Sequence, residues 1–301
     1  MRPIVWRSCE RRWTICSPAG PRRELCCLTE RPPFRTIECS DSALTEPGFT
    51  FVTVSSPALG HRADITFYAP PGTEGTADLP IVLLLHGVYG SHWAWAFKGA
   101  AHRTLADLVA SGAVPPMVLA MPSDRLWRDG SGYVPHRDQD FEHWIADEVP
   151  LATRMAVPAC SEHSPTLIAG LSMGGFAALR LLGKYPSRFR AASALSAITE
   201  ANQLDALMAP GSRRGWSTDA ADTSVLAALR SASAPLPPFR FDCGRDDDLL
   251  AGNRALHEAL EVAGIAHDYA EYEGGHDWPY WRRRLADTLL FFGEVLRGSK
   301  A

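Results

Sequence analysis

The chain has 301 residues and a mass of 32.8 kDa, enough for one substantial core and tight for two full domains. A 46% hydrophobic, 21% charged composition with a mean hydropathy of -0.10 excludes disordered, collagen-like and transmembrane classes. A net charge of -4 and a pI near 6.2 supply no bulk positive field for a polyphosphate backbone, so no nucleic-acid partner is expected.

The first forty residues differ from the rest, with eight arginines against four glutamates and five of the seven cysteines. Pro, Arg and Glu break every apolar run there, so no signal peptide is expected and the location read from this is cytoplasmic. No cysteine pair has the C-x2-C spacing of a zinc knuckle. Residues 1–45 therefore read as a basic, cysteine-containing, poorly ordered leader, and residues 46–301 as one folded domain.

From Phe49 onward strands alternate with helices. Phe49 to Val54 and Ala63 to Tyr68 alternate apolar with polar, as antiparallel strands with one wet face do. Leu79 to Leu85 is a continuous apolar run, which predicts a central strand covered on both faces. A helix at His102 to Ala110 and a strand at Met117 to Met121 follow, then a helical stripe from Phe141 to Met155 interrupted by Pro150. Next come a strand at Thr166 to Ala169, a helix at Phe176 to Leu182 and a strand at Ala191 to Leu195. Ala197 to Pro238 has no strong period and reads as an excursion over the sheet edge, a small lid. The series closes with a strand at Phe239 to Cys243, a helix from Leu249 to Ala263, a strand at Asp268 to Tyr272 and a helix from Tyr280 to Leu296. This order predicts an α/β fold with a mostly parallel central sheet flanked by helices. The longest apolar stretches, such as Ile81 to Leu85, are far short of the roughly 20 residues that cross a bilayer.

Gly170-Leu171-Ser172-Met173-Gly174 fits G-x-S-x-G and lies between a predicted strand and a predicted helix. Such a turn pushes the serine side chain above the sheet, and the glycines are needed where any Cβ would strike neighbouring backbone. A serine hydroxyl is a poor nucleophile at neutral pH, so it needs a base, and the base needs a partner that fixes its tautomer. In this architecture the order is Ser, then Asp or Glu, then His, each in a loop after a late strand. His276, in Gly274-Gly275-His276-Asp277-Trp278, is the base of choice among ten histidines. His257 within a helix, His267 at a strand start, and the others before or remote from that loop read as surface or structural residues. His86 reads as a structural polar group beneath the loop that follows the central strand. Asp246, Asp247 and Asp248, after the strand ending at Cys243, can each serve as the acid. The oxyanion needs two backbone donors: the amide of Met173, and one from His86-Gly87-Val88-Tyr89-Gly90, where Val88 is the choice and Tyr89 the alternative.

These residues resemble the esterase D family of α/β-hydrolases, which includes S-formylglutathione hydrolases, tributyrin-type, feruloyl and acetyl-xylan esterases, enterochelin-type esterases and mycolyltransferases. The resemblance runs through Leu84-Leu85-His86-Gly87 with Trp95, the elbow, Tyr185-Pro186-Ser187-Arg188-Phe189, Cys243-Gly244-x-x-Asp247-x-Leu249, and Gly275-His276-Asp277-Trp278 with Tyr280-Trp281. It implies an α/β-hydrolase fold and selects Asp247 as the acid.

The expected function is a serine carboxylesterase that hydrolyses a small acyl or aryl ester through an acyl-enzyme, with Ser172 as nucleophile, His276 as base, Asp247 as its orienter and Val88 and Met173 at the oxyanion. Tyr89, Trp95 and Trp278 are the expected substrate contacts, within a wider set of loop aromatics at Trp93, Trp127, Tyr133, Trp216 and Tyr280. No cofactor and no metal is called for, since no H-E-x-x-H cluster is present. The partner is a small-molecule ester, and no oligomeric state is read from the sequence. An S-formylglutathione thioesterase or an acyltransferase shares the triad. Leu171 and Phe176 stand where the human esterase D type usually has histidines, which counts against the thioester reading. Outside enzymes, a non-catalytic binding module on the same fold is the alternative.

Overall fold

The computed structural model describes residues 33–124 and 128–298. Most of the expected leader, residues 1–32, and Trp127 lie outside the described residues.

One nine-stranded sheet organises the chain. Its parallel part comprises β4 (Ile81–Leu85), β5 (Val118–Pro122), β6 (Thr166–Leu171), β7 (Ala192–Leu195), β8 (Phe239–Gly244) and β9 (Asp268–Tyr272), in the spatial order β5-β4-β6-β7-β8-β9. Beyond β5 the sheet continues antiparallel through β3 (His61–Tyr68), β2 (Phe49–Ser56) and β1 (Ile37–Cys39). The β4 run IVLLL is buried along its whole length because both faces are covered. Ile81, Leu83 and Leu85 enter the core shared with Phe176 and Leu179, whereas Val82 and Leu84 enter the core shared with Trp95, Leu105 and Leu289. The helices that cover these faces include α1 (Ala94–Phe97), α2 (Ala101–Ala110), α3 (Phe141–His143), α4 (Val149–Ala156) and α5 (Met173–Lys184). After β7 come α6 (Ala220–Thr223), α7 (Val225–Arg230), α8 (Leu250–Val262) and α9 (Trp278–Gly298). Among the described residues no helix is long and apolar enough to cross a membrane.

Three expectations change. Residues 34–39 are not part of a poorly ordered leader: Ile37–Cys39 pairs with Val52 to Val54, and Phe34 is buried in the core. A three-residue edge strand is too short to show a period of two. Pro150 does not end the helical stripe. The chain passes from α3 through a wider π turn at Trp144–Glu148 into α4, with Pro150 as its second residue. The excursion at 197–238 is not without structure, for it holds a 3-10 turn at Ala201–Ala206 as well as α6 and α7. Segments of one or two turns are too short to carry a readable helical period.

The excursion is tied down by a buried ionic cluster. Arg180, on α5, donates through Nη1 to Glu142 and to Asp222 Oδ1 (2.9 Å), and through Nη2 to the Tyr133 carbonyl (2.6 Å). Lys184 Nζ lies 2.7 Å from Glu142 Oε1, and Tyr185 donates its hydroxyl to the same oxygen (2.6 Å). Glu142, Asp222 and Arg180 are all buried. Removing one member of such a cluster leaves carboxylates without their main counter-charge in low dielectric, at a cost of about 3–5 kcal/mol. Arg180→Met is therefore expected to lower the unfolding free energy in urea by that amount, shifting the midpoint down by this energy divided by the m-value; a midpoint equal to the parent's would show that the cluster contributes nothing net.

Candidate active site

Two glycine contacts build the turn between β6 and α5. A Cβ on Gly170 would lie 2.3 Å from the Gly174 carbonyl, and one on Gly174 would lie 2.3 Å from the Leu85 carbonyl, so helix and sheet meet only because both are glycine. Between them Ser172 adopts φ 52 and ψ -117, a backbone conformation L-residues rarely hold. It is held there by its N–H donating to the Leu195 carbonyl (2.9 Å) and by its carbonyl accepting from Phe176 (3.0 Å) and Ile198 (3.2 Å). The side chain thus rises from the carboxyl edge of the sheet at the start of α5, where the partial positive charge of a helix N-terminus lies.

Ser172 Oγ is 3.0 Å from His276 Nε2, and His276 Nδ1 is 2.9 Å from Asp247 Oδ2. The three residues come from the turn after β6, the turn after β8 and the loop after β9. Asp247 is buried, whereas Asp246 and Asp248 are exposed. Its Oδ1 also accepts the Leu249 amide (2.9 Å). Burial pushes the Asp247 carboxyl up, but the hydrogen bond and charge of His276, with the Leu249 amide, outweigh it and hold the group below the ordinary carboxylate range. A carboxylate that stays ionised keeps the proton of the neutral imidazole on Nδ1, leaving Nε2 as the acceptor that faces the serine. The His276 side chain is 27% exposed, so water reaches the pair. Its ring stands edge-on to Trp281, which stands edge-on to Trp278, which in turn meets Trp95.

Of the two amides considered after β4, that of Tyr89 donates to the Asp129 carbonyl (2.8 Å) and is committed. The Val88 amide has no acceptor among the described residues. Met173, as the first residue of α5, has an amide with no intrahelical acceptor. His86 lies beneath this loop: Nδ1 donates to the Gly87 carbonyl (2.7 Å), Nε2 is 3.4 Å from Asp124 Oδ1, and the Tyr133 hydroxyl donates to its carbonyl (3.2 Å).

The expected aromatic contacts divide. Trp95 is 1% exposed and donates its indole N–H to the Leu85 carbonyl (3.0 Å), so it props the end of β4 from below and cannot meet a substrate. Tyr133, Trp216 and Tyr280 are likewise buried, while Tyr280 donates its hydroxyl to Asp242 (2.6 Å). Trp95 and Tyr280 lie on α1 and α9 and Tyr133 and Trp216 in loops, and all four are buried by packing that local sequence does not reveal. Trp278 is half-buried, and Tyr89 is 69% exposed with its hydroxyl donating to the Leu207 carbonyl. That bond straps the loop after β4 to the excursion. Asp129, which sequence reasoning did not single out, fastens the same strap. Its Oδ2 accepts the Ala209 amide (2.6 Å) and the Ser212 hydroxyl (3.3 Å). No motif announces contacts between loops some eighty residues apart. A cavity of about 980 Å³ opens at the opposite, amino ends of β4 and β6, beside Pro80, Thr166 and Arg190, away from Ser172.

A family model described as putative esterase matches residues 56–292. The acetyl esterase of Caldicellulosiruptor saccharolyticus is 27% identical over 237 residues, 72% of this chain and 85% of that protein. The iron(III) enterobactin esterase of Dickeya dadantii is 29% identical over 250 residues, 79% of this chain but 53% of that protein, so the chain spans about half the length of this relative. Among solved structures, a ferulic acid esterase superposes with a TM-score of 0.67 at 26% identity, covering 82% of this chain and 97% of the other. An S-formylglutathione hydrolase from Agrobacterium tumefaciens superposes with a TM-score of 0.68 at 20% identity, covering 88% and 100%, a likeness of fold.

Proposed function

The chain belongs to the putative esterase family, of the esterase D type, and is a carboxylic ester hydrolase of α/β-hydrolase fold; from that premise we propose that Ser172, His276 and Asp247 form its catalytic triad and hydrolyse a small acyl or aryl ester through an acyl-enzyme. The observation that carries this reading is the unbroken pair of hydrogen bonds, Asp247 to His276 at 2.9 Å and His276 to Ser172 at 3.0 Å, at a strained turn. His276 Nε2 takes the Ser172 proton as Oγ attacks the ester carbonyl, and Asp247 stabilises the imidazolium that forms. The oxyanion is received by the amides of Val88 and Met173. Collapse of the tetrahedral intermediate passes the proton from His276 to the departing alkoxide oxygen, and water then repeats the sequence on the acyl-serine. No step calls for a cofactor.

The Tyr89–Leu207 strap and the Asp129 contacts favour a small substrate, because they tie the loop after β4, whose Gly87 packs against Ser172, to the excursion. The excursion at 197–238 acts in this reading as a fixed cap, since Arg180, Asp129 and the Pro135 carbonyl all bind it to the body. Leu171 and Phe176 are buried core residues and offer a glutathione thioester no polar contact. Turnover of acetyl, butyryl and feruloyl esters against S-formylglutathione tests the assignment: higher kcat/KM on the oxygen esters is expected, and preference for the thioester would replace it. Product analysis with an added alcohol separates hydrolysis from acyl transfer. Val88→Pro removes a proposed oxyanion donor and is expected to lower kcat about a hundred- to thousandfold, measured on p-nitrophenyl acetate, with KM changing little. An unchanged kcat would move the donor to another amide.

A further inference from the structure

At the far edge of the sheet three side chains outside the Ser172 site converge. His257 and Glu261 stand one turn apart on α8, and His267 lies just before β9. One ligand atom from each falls within 4.8 Å of the other two. His257 Nδ1 and His267 Nε2 are 2.8 Å apart, and His267 Nδ1 is 2.7 Å from the Ile265 carbonyl. A carbonyl only accepts, so His267 carries its proton on Nδ1 and presents an Nε2 lone pair to His257. The same arrangement, an imidazole anchored through its other nitrogen to a backbone carbonyl, orients histidines that bind metals. Both rings are held in place: His267 stacks on Phe239 and Phe241 at 5.9 and 5.6 Å, and His257 stacks on Tyr269 at 4.7 Å. The Glu261 carboxylate is exposed and forms no ion pair among the described residues.

We infer that His257 Nδ1, Glu261 and His267 Nε2 bind a divalent transition ion of the zinc class. Two imidazoles and a carboxylate suit zinc, which binds such donors at about 2.0–2.2 Å. Tetrahedral angles at those lengths set the two nitrogens about 3.4 Å apart, so the rings need part by only about half an ångström. Without the ion, one proton bridges the two imidazoles. With it, His257 holds its proton on Nε2 and turns the Nδ1 lone pair inward, so neither ring need lose a proton from its neutral form. The ion would staple β9, an edge strand whose far end leads to the His276 loop, onto α8. Three protein ligands leave the fourth tetrahedral position of the ion open to water.

The test uses the full chain, freed of metal with EDTA and titrated with zinc by calorimetry and thermal melting. One equivalent and a rise in Tm are expected. Because Glu261 is exposed, Glu261→Gln folds as the parent does; it should weaken zinc at least as much as disturbing an outer-shell partner does, about ten- to a hundredfold, and lose the rise in Tm. Its turnover of p-nitrophenyl acetate should equal the parent's. Cobalt in place of zinc should give d–d bands without thiolate charge transfer. No saturable binding, binding unchanged in both Glu261→Gln and His257→Ala, or a thiolate band assigning the ion to cysteines would each overturn the inference. The calorimetric, melting and absorption readouts do not depend on the triad.

Discussion

Ser172→Ala is expected to lower kcat by a factor on the order of 10⁶ while leaving the fold in place. The factor is that large because nucleophile and base act as one unit, so loss of either removes the covalent route entirely. The fold should survive because the elbow is not held by the hydroxyl. The backbone bonds to Leu195, Phe176 and Ile198 and the close approaches at Gly170 and Gly174 set its conformation, and alanine keeps the same Cβ. The Oγ makes its hydrogen bond to His276, which water can replace at a ring 27% exposed. The measurements are p-nitrophenyl acetate turnover, labelling by a fluorophosphonate and a thermal melt. Residual rate no greater than the 10³–10⁴ over water attributed to oxyanion donors and binding alone fits the proposal. Undiminished labelling would place the nucleophile on another residue.

Asp247→Asn comes next, with an expected loss of about 10⁴ in kcat. The cause is orientation rather than charge transfer. An amide in place of the carboxylate can donate to Nδ1, which moves the imidazole proton to Nε2 and turns the base away from the serine. The amide oxygen can still accept from Leu249, so the variant should keep its fold, though without the stability that the ionised carboxylate contributes at neutral pH. Asp246→Asn and Asp248→Asn are the controls. Both side chains are exposed, and each variant should stay within a few-fold of the parent; loss in either instead of Asp247 would reassign the acid. The same substitution has a pH signature. Because folding lowers the Asp247 pKa below 3.8, its contribution to stability is complete above that value and is lost as pH falls through the lower folded value. The parent should therefore lose Tm more steeply than Asp247→Asn on acidification below about pH 4.

The local signals in the chain determined much of this protein. Strands were legible from the continuous run before His86 and from the alternation at Phe49 and Ala63, because burial on two faces or one writes itself directly into neighbouring residues. The elbow was legible because a turn that brings backbone within 2.3 Å of an added Cβ admits only glycine. The order of Ser172, Asp247 and His276 followed from which loops end late strands, although three adjacent aspartates look alike along the chain. The family resemblance singled out Asp247, and the tertiary structure sets it against His276 while its neighbours face water; only the tertiary structure decided that the Tyr89 amide is taken by Asp129 and that Trp95 lies beneath the site. It alone joined His257 to His267, two residues that read separately as surface or structural groups. The reason is physical: periodicity reports what a residue does within its own strand or helix, whereas these partners meet across loops whose paths are set by packing on the finished sheet.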